Sequence, residues 1–355
     1  MSYIRDQIQE NIVKEAIKIG QGIIDVAPRV GKCRIGVKIM ENWLAPKTLI
    51  VYPDNKIKQS WLDEFEKMDY SNPNITFSSN MSLKKWENDK FDVVFIDECH
   101  LLSERNIESV QKLLGINTAV FGLTGTLGEE TEKTLRIALK WPVIARYTQE
   151  EAIEAGIVSD YRINIIRVPL DNKRLVQYKK KQKTEKQQFN SYTYIIEKLK
   201  LEGKNFMFLA LARMRVIQGS IAKMEATRKL LKQFKDERVL VFCGLIKVAE
   251  QLGIPVQHSK NDGENLEKFS KGEGNHIAVV NMGGAGRTYK PLNKVIINYF
   301  NSNEETLKQR INRAMNMEYE GKLAEIYIIS SNESVEAKWL EKALTPFDPK
   351  KIKYL

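Results

Sequence analysis

The sequence is poor in the residues that build metal clusters and disulfide frameworks. Its 355 residues include three cysteines and three histidines. The cysteines form no CxxC pair, and the histidines do not cluster beside them, which argues against structural zinc and disulfides. No apolar run reaches the roughly 18 residues of a membrane helix. The acid-containing N-terminal segment fits neither a signal peptide nor a transit peptide. We therefore expect a cytoplasmic protein without membrane contact.

Acidic residues are fewer than basic ones, which points to the class of partner. Lys and Arg number 56 and Asp and Glu 45, giving a formal net charge of +11. Such an excess favours a polyanionic partner, most commonly nucleic acid, although a solvated basic surface would give the same count. The length suggests two to three domains, each with its own core.

Short apolar strands alternate with amphipathic helical stretches in both halves, which is typical of an α/β fold with parallel sheets covered on both faces. A Lys-rich, helix-favouring segment from about Asp171 to Phe234 separates the halves. We predict sheet domains at 1–165 and 236–355, joined by a helical linker or subdomain at 166–235. The predicted strands are Gly22–Ala27, Thr48–Pro53, Asp92–Asp97, Thr118–Gly125, Arg238–Cys243, Pro255–Ser259, His276–Asn281, Lys294–Tyr299 and Ala324–Ser330.

The segment APRVGKC, which ends at Cys33, follows the first predicted strand and precedes helix-compatible sequence. Backbone N–H groups at such a turn bind phosphate together with the helix N-terminus. The Lys32 ammonium would reach the β- and γ-phosphates. The full phosphate-loop pattern has Gly where Val26 stands and Ser or Thr where Cys33 stands. On its own, Gly31-Lys32 therefore fits either a phosphate site or a simple strand-to-helix turn.

Two adjacent acids end the apolar strand of VFIDECH, about 65 residues after Lys32. A buried charge at Asp97 is costly unless it has a function. Asp97 suits a Mg²⁺ ligand, and Glu98 suits the base that orients and deprotonates the attacking water. The alternative is a pair of acids that caps a helix. His100 is placed to relay between this site and the next segment.

Six segments, in the order in which the family has them, resemble the motifs of superfamily 2 helicases. VFIDECH, one of the six, is similar to the DEAD/DEAH box. The sequence as a whole resembles small bacteriophage helicases most. The other five are VYPDNKIKQSW at 51–61 (motif Ia), GLTGT at 122–126 (motif III), VLVFC at 239–243 (motif IV), the stretch 279–297 (motif V) and LKQRINRAMN at 307–316 (motif VI). Separately, the N-terminal IRDQIQ resembles the adenine-reading Q motif.

This resemblance implies two RecA-like domains with ATP and Mg²⁺ in the cleft between them. It implies that Glu98, Asp97, Lys32, Arg313 and Arg310 are catalytic. The implied ATP contacts are Gln9, Arg29, Val30, Gly31, Lys32, Cys33, Gly286 and Arg313. The implied metal ligands are Asp97 and Cys33, and the implied coupling residues are His100, Thr124, Thr126 and Gln309. Gln7 is the alternative to Gln9, and the segment also fits an ordinary amphipathic helix. Arg29 can reach a phosphate or face solvent.

The chain departs from the family at positions that matter for rate. Cys33 replaces the hydroxyl that ligates Mg²⁺, a hard cation that prefers oxygen. Asn312 replaces Gly, and Asn316 replaces the last Arg of motif VI, the usual finger on the γ-phosphate. Loss of an arginine finger can cost several orders of magnitude in rate. We predict slow or weakly coupled ATP hydrolysis, with Arg313 or Arg287 as candidate replacements.

The sequence thus predicts an ATP-dependent helicase or translocase that unwinds or remodels DNA, single-stranded or branched, as a monomer by default. Candidate nucleic-acid contacts are Lys56, Lys58 and Lys260. The lysines of 179–186, near Tyr178, fit either a single strand or a solvated helix face. One alternative function is a degenerate helicase-like module that binds nucleic acid or protein with slow or no ATP turnover. Another is a restriction-enzyme motor subunit whose nuclease lies elsewhere.

Overall fold

The computed structural model describes residues 2–42, 46–114, 117–178, 181–261, 263–280, 292, 294–301, 306–307, 310–311, 323–345 and 347–355. The chain divides into two compact units, Met1–Val158 and Ser159–Leu355. The main sheet of each unit is parallel in every described pairing, and helices connect the strands. The predicted α/β fold class is confirmed. In the part of the chain that the structure describes, no helix is both long and apolar enough to cross a bilayer.

Six parallel strands form the sheet of the first unit, in the order β3-β2-β4-β5-β1-β6. The inner strands are the buried apolar runs that the sequence predicted, shifted by about one residue at their ends. The sequence did not predict β3 and β6, because these edge strands are half-exposed and have no continuous apolar run. The elements are α1 (Ser2–Ile19), β1 (Gln21–Val26), α2 (Lys32–Glu41), β2 (Thr48–Tyr52), α3 (Asn55–Lys67), β3 (Ile75–Ser79), β4 (Val93–Asp97), α4 (Glu104–Leu113), β5 (Ala119–Thr124), α5 (Glu129–Leu139), β6 (Val143–Tyr147) and α6 (Gln149–Glu154).

The strand order brings three chain segments to one edge of this sheet. β5 lies between β4 and β1, with Asp97 opposite Leu123 and Asp25 opposite Thr124. Because the strands are parallel, their carboxyl ends meet at the same edge. The turn after β1, the acid that ends β4 and the hydroxyl that ends β5 are therefore neighbours, although they are far apart in sequence.

Seven parallel strands form the sheet of the second unit, in the order β11-β12-β10-β13-β14-β7-β15. Its core is another set of buried Val and Ile runs. The elements are β7 (Tyr161–Val168), β8 (Val176–Tyr178), β9 (Lys181–Lys183), α7 (Glu185–Leu201), α8 (Met207–Gln218), α9 (Ile221–Gln233), β10 (Val239–Cys243), α10 (Ile246–Glu250), β11 (Val256–Gln257), α11 (Glu264–Lys271), β12 (His276–Val280), β13 (Lys294–Ile297), β14 (Ala324–Ser331), α12 (Ser334–Leu344) and β15 (Ile352–Tyr354).

The middle of the chain is joined to the second unit by β7 and by a buried ion pair. β7 pairs with β14 over eight residues, so the unit begins at Ser159, whereas the predicted boundary falls at 165. Helices α7 to α9, within the predicted linker, lie inside this unit. The Lys223 ammonium on α9 binds Glu336 on α12, and both side chains are fully buried. The lysine-rich start of the segment was expected to be helical, but β8 and β9 form a short antiparallel hairpin there. Helix α7 begins only after the Thr184 cap.

Candidate active site

The turn of residues 27–31 connects β1 to α2 in a conformation suited to an anion. Gly31 has φ 105°, in the left-handed region that favours glycine. Arg29 has φ 73° in the same region. A Cβ at position 31 would lie only 2.6 Å from the side-chain nitrogen of Gln9, so a larger residue there would also displace the Gln9 amide. The first N–H groups of α2 follow directly, and such helix starts bind phosphate.

Lys32 is the first residue of α2 and faces both acids at the end of β4. Its Nζ donates to Glu98 Oε1 at 2.5 Å and lies 3.8 Å from Asp97 Oδ1. Burial lowers the pKa of Lys32, but the Glu98 and Asp97 carboxylates outweigh that effect, and the pKa is raised above its ordinary value. Lys32 is therefore a charged ammonium beside the turn, which is the state that binds phosphate.

Asp97 is the buried acid of the site, only 2% exposed. Its Oδ2 accepts a hydrogen bond from the Trp61 indole N–H at 2.9 Å. Its Oδ1 accepts from the Glu98 backbone N–H, also at 2.9 Å. Burial raises the pKa of Asp97, and the nearby Lys32 ammonium opposes that rise. Two donors from different elements therefore fix the orientation of this carboxylate.

Glu98 has a strained backbone and a side chain that reaches solvent. Its φ of 49° and ψ of 51° lie in the left-handed region, which non-glycine residues occupy rarely and often at functional sites. Its side chain keeps 19% exposure, and Oε2 lies 3.4 Å from His100 Nδ1. A carboxylate held between an ammonium and an imidazole, with access to water, has the placement that a general base needs.

The predicted coupling residues of the first unit are brought together by the structure. His100 Nδ1 is hydrogen-bonded to Thr124 Oγ1 at 2.8 Å. The same hydroxyl accepts from the Thr126 backbone N–H at 3.2 Å. The contacts run continuously from Glu98 through His100 to the segment after β5. Gln309, the fourth predicted coupling residue, lies outside the described residues.

The structure distinguishes Gln9 from Gln7, the two candidates that the sequence left open for adenine contact. Gln9 is fully buried, and its Nε2 donates to the Val30 carbonyl at 2.6 Å. Gln7 is exposed. Gln9 therefore lies against the turn of residues 27–31, and its buried Oε1 has no hydrogen-bond partner among the described residues. That acceptor suits a donor on a ligand, so adenine contact by Gln9 stays a prediction with a geometric basis.

The donor set fits a magnesium ion held jointly with a nucleotide. Mg²⁺ bound together with a nucleotide is held through one or two carboxylates plus substrate phosphates. Asp97 offers a hard oxygen beside the Lys32 ammonium at the start of α2. Cys33 does not fit, because burial raises the pKa of its thiol well above the ordinary value and keeps it neutral. Among the described residues, no group of three or more His, Cys, Asp or Glu side chains is placed to hold a metal alone.

The predicted residues of the second unit are only partly described. Gly286, Arg287, Asn312, Arg313 and Asn316 lie outside the described residues. Arg310 is 8% exposed and donates from its guanidinium to the Tyr299 carbonyl. Its guanidinium also lies 5.2 Å from the centroid of the Phe242 ring, and burial lowers its pKa to about 10. These contacts hold Arg310 within its own unit, and its role toward a phosphoryl group stays a prediction.

The predicted nucleic-acid contacts lie on different elements. Lys56 and Lys58 occupy the first turn of α3, where Asp54 caps the helix through the backbone N–H of Lys56 and Ile57. Lys58 Nζ lies 5.3 Å from the centroid of the Phe77 ring. Lys260 is an exposed residue of the second unit. Both units therefore present at least one of the predicted lysines.

Sequence reasoning missed Trp61 as a site residue. It ends the motif Ia segment and is fully buried on α3, as an ordinary core aromatic would be. The indole N–H nevertheless binds Asp97. The signal available in the sequence was a single Trp in an amphipathic helix next to a glycine-containing helix, which is too common to single out.

The sequence of this chain is similar to those of known proteins. Residues 4–129 match the family model described as "Type III restriction enzyme, res subunit". Over 310 residues the chain is 25% identical to the DNA 3'-5' translocase XPB2 of Sulfurisphaera tokodaii, covering 76% of this chain and 70% of that protein.

Two solved structures share the fold at low identity. The helicase domain of Hef from Pyrococcus furiosus has a TM-score of 0.57 and 13% identity, covering 95% of this chain and 98% of that one. Dbp5 of S. cerevisiae bound to RNA and ADP BeF3 has a TM-score of 0.61 and 10% identity, covering 94% and 85%. These structures show the fold alone, that of RecA-like helicase domains. Beyond the fold, the chain is similar in sequence to the restriction-subunit family over residues 4–129 and to the archaeal translocase.

Proposed function

We propose that this protein is an ATP-driven nucleic-acid translocase of the helicase type. The observation that carries the proposal is the grouping of Lys32, Asp97 and Glu98 around the left-handed turn before α2. A phosphate-binding turn, a charged lysine, a buried metal-binding carboxylate and a solvent-accessible base together form the first-unit half of an ATP-hydrolysing site. The match of residues 4–129 covers all of these parts.

In this proposal the lysine exchanges partners when nucleotide binds. Lys32 leaves Glu98 for the phosphate oxygens, and Glu98 is freed to accept a proton from the attacking water. His100 keeps the freed carboxylate oriented, since its Nδ1 already lies 3.4 Å from Glu98 Oε2. Asp97 would hold Mg²⁺, which neutralises phosphate charge when bound. The movement of Lys32 and Glu98 is transmitted to Thr124 and Thr126 through the His100 hydrogen bond.

We propose DNA as the nucleic acid. The net charge of +11 supports a polyanionic partner, and the curated relative is by name a DNA 3'-5' translocase. RNA is the alternative to be tested, because Dbp5 was solved bound to RNA. Unwinding or remodelling of branched DNA, and an origin in a bacteriophage, rest on the sequence resemblance and belong to the proposal.

One observation favours a second candidate, a helicase-like module with slow ATP turnover. Cys33 stands where the family has a metal-ligating hydroxyl, and its raised pKa keeps the thiol neutral. A neutral thiol contributes little to Mg²⁺ binding. Such a protein would bind nucleic acid or a protein partner and use ATP as a switch.

Strand displacement and ATP turnover, measured together, test the proposal. Wild-type protein should hydrolyse ATP faster with single-stranded or forked DNA than without it, and should displace a strand only with ATP. Lys32→Ala should abolish both activities, whereas Lys14→Ala, an exposed lysine on α1, should change neither. DNA binding without stimulated turnover would favour the second candidate, and stimulation by RNA alone would overturn the choice of DNA.

A further inference from the structure

The Trp61 indole is the only side chain, among the hydrogen bonds described, that donates to the buried acid of the site. It is 0% exposed, and its N–H lies 2.9 Å from Asp97 Oδ2. The two residues are 36 positions apart and belong to α3 and β4. A buried indole N–H with a charged acceptor makes a stronger hydrogen bond than a neutral pair does. This hydrogen bond is therefore part of the structure of the site.

The indole is fixed in place by three separate elements. A Cβ at Gly36 of α2 would lie 2.2 Å from Trp61 Cη2, so the ring packs directly on the backbone of the helix that begins with Lys32. The Phe95 ring of β4 lies 5.5 Å away between centroids, and the Phe65 ring of α3 lies 6.1 Å away. Close packing leaves the indole one orientation, so its N–H direction is preset.

The two carboxylate oxygens of Asp97 therefore have different partners. Oδ2 is bound by Trp61, while Oδ1 is the oxygen that lies 3.8 Å from Lys32 Nζ. Oδ1 accepts from the Glu98 backbone N–H, and a carboxylate oxygen has a second lone pair. Trp61 therefore holds the carboxylate so that Oδ1 faces the phosphate-binding turn.

We propose that Trp61 is a positioning residue for Mg²⁺-dependent nucleotide binding. Its indole, on α3, fixes the orientation of the Asp97 carboxylate. This carboxylate is the oxygen ligand available to the metal, because Cys33 on α2 supplies no hydroxyl. This inference rests on the proposed function, because it assumes that Asp97 meets the metal of a bound nucleotide. Partners that orient a metal-binding side chain typically contribute about 10–100-fold in metal affinity.

Trp61→Phe keeps an aromatic ring and removes the N–H. The matched control is Trp141→Phe, because Trp141 is 1% exposed in the same unit and its Nε1 has no hydrogen-bond partner among the described residues. Binding of a fluorescent ADP is measured while Mg²⁺ is titrated. Trp61→Phe should need on the order of ten-fold more Mg²⁺ for half-maximal binding. Trp141→Phe should match wild type, and metal-free binding should be equal in all three.

Indole N–H signals of ¹⁵N-Trp wild-type protein give a second test, whose readout is the wild-type spectrum. The chain has five tryptophans, and Trp61→Phe and Trp141→Phe assign two of the signals. Adding Mg²⁺ to the ADP complex should shift the Trp61 signal and leave that of Trp141 in place.

Equal Mg²⁺ dependence of the two variants, or a Trp61 signal that ignores Mg²⁺, would overturn the inference and leave the proposed function standing. A wild-type protein without Mg²⁺-dependent nucleotide binding would overturn the proposed function, and this inference with it.

Discussion

Replacing Lys32 by Met tests the electrostatics of the site in the absence of nucleotide. The change keeps most of the side-chain length and removes a charge 2.5 Å from Glu98 Oε1 and 3.8 Å from Asp97 Oδ1. Breaking a buried ion pair typically costs about 3–5 kcal/mol. Because the Lys32 and Glu98 side chains keep 18% and 19% exposure, we expect the lower end of that range, about 3 kcal/mol, near neutral pH.

The pH dependence of this loss follows from Asp97. Burial raises the pKa of Asp97 and Lys32 opposes the rise, so removing Lys32 should raise the pKa further. A carboxyl that binds its proton more tightly in the folded than in the unfolded chain makes stability fall as pH rises. The Lys32→Met variant should therefore regain part of its lost stability, relative to wild type, as pH falls from about 8 to about 5.

Thermal and urea unfolding of the nucleotide-free protein measure the effect. For a unit of this size, about 3 kcal/mol corresponds to a decrease in Tm of about 6–12 °C. Lys14→Met, at an exposed position of α1, should unfold like wild type. The reasoning is refuted if Lys32→Met equals this control near neutral pH, or if its deficit grows as pH falls.

Three further outcomes follow from the described contacts. Gly31→Ala should weaken nucleotide binding at least ten-fold in an equilibrium titration, because the new Cβ would meet Gln9 and the φ of 105° disfavours alanine. Gly128→Ala is the control and should bind nucleotide like wild type, because a Cβ there would have no atom within 4 Å. Lys223→Met should cost about 3–5 kcal/mol in urea unfolding, and adding Glu336→Met should recover much of it; further loss would contradict the ion-pair account. Lys56→Ala should reduce the slope of log affinity for DNA against log salt by about one; an unchanged slope would contradict phosphate contact.

Much of the fold was predictable because buried parallel strands carry continuous Val and Ile runs. β4, with all five residues buried, is the clearest case. β7 shows the limit, because its pairing partner β14 lies about 160 residues further along the chain. Nothing local assigns β7 to the second sheet, so the predicted boundary at 165 and the observed division before Ser159 differ. The short β15 likewise depends on pairing with β7.

The grouping of the site residues was expected from the family resemblance, and the strand order gives the physical reason for their proximity. Asp97 and Thr124 end parallel strands, and Lys32 and Glu98 follow strand ends, so all four lie at one edge of the sheet. The choice of Gln9 over Gln7 needed the packing of α1 against the turn. The Trp61 contact with Asp97 needed the close approach of α3 to Gly36, which no spacing in the sequence reveals.

Steady-state ATP hydrolysis by Glu98→Gln, with and without single-stranded DNA, tests the central claim most directly. The change removes the proposed base and keeps the shape of the side chain. The account predicts DNA-stimulated turnover in wild type and a decrease of about 10²–10⁴-fold in the variant, with Mg²⁺-dependent nucleotide binding retained. Turnover by Glu98→Gln equal to that of wild type would contradict the account.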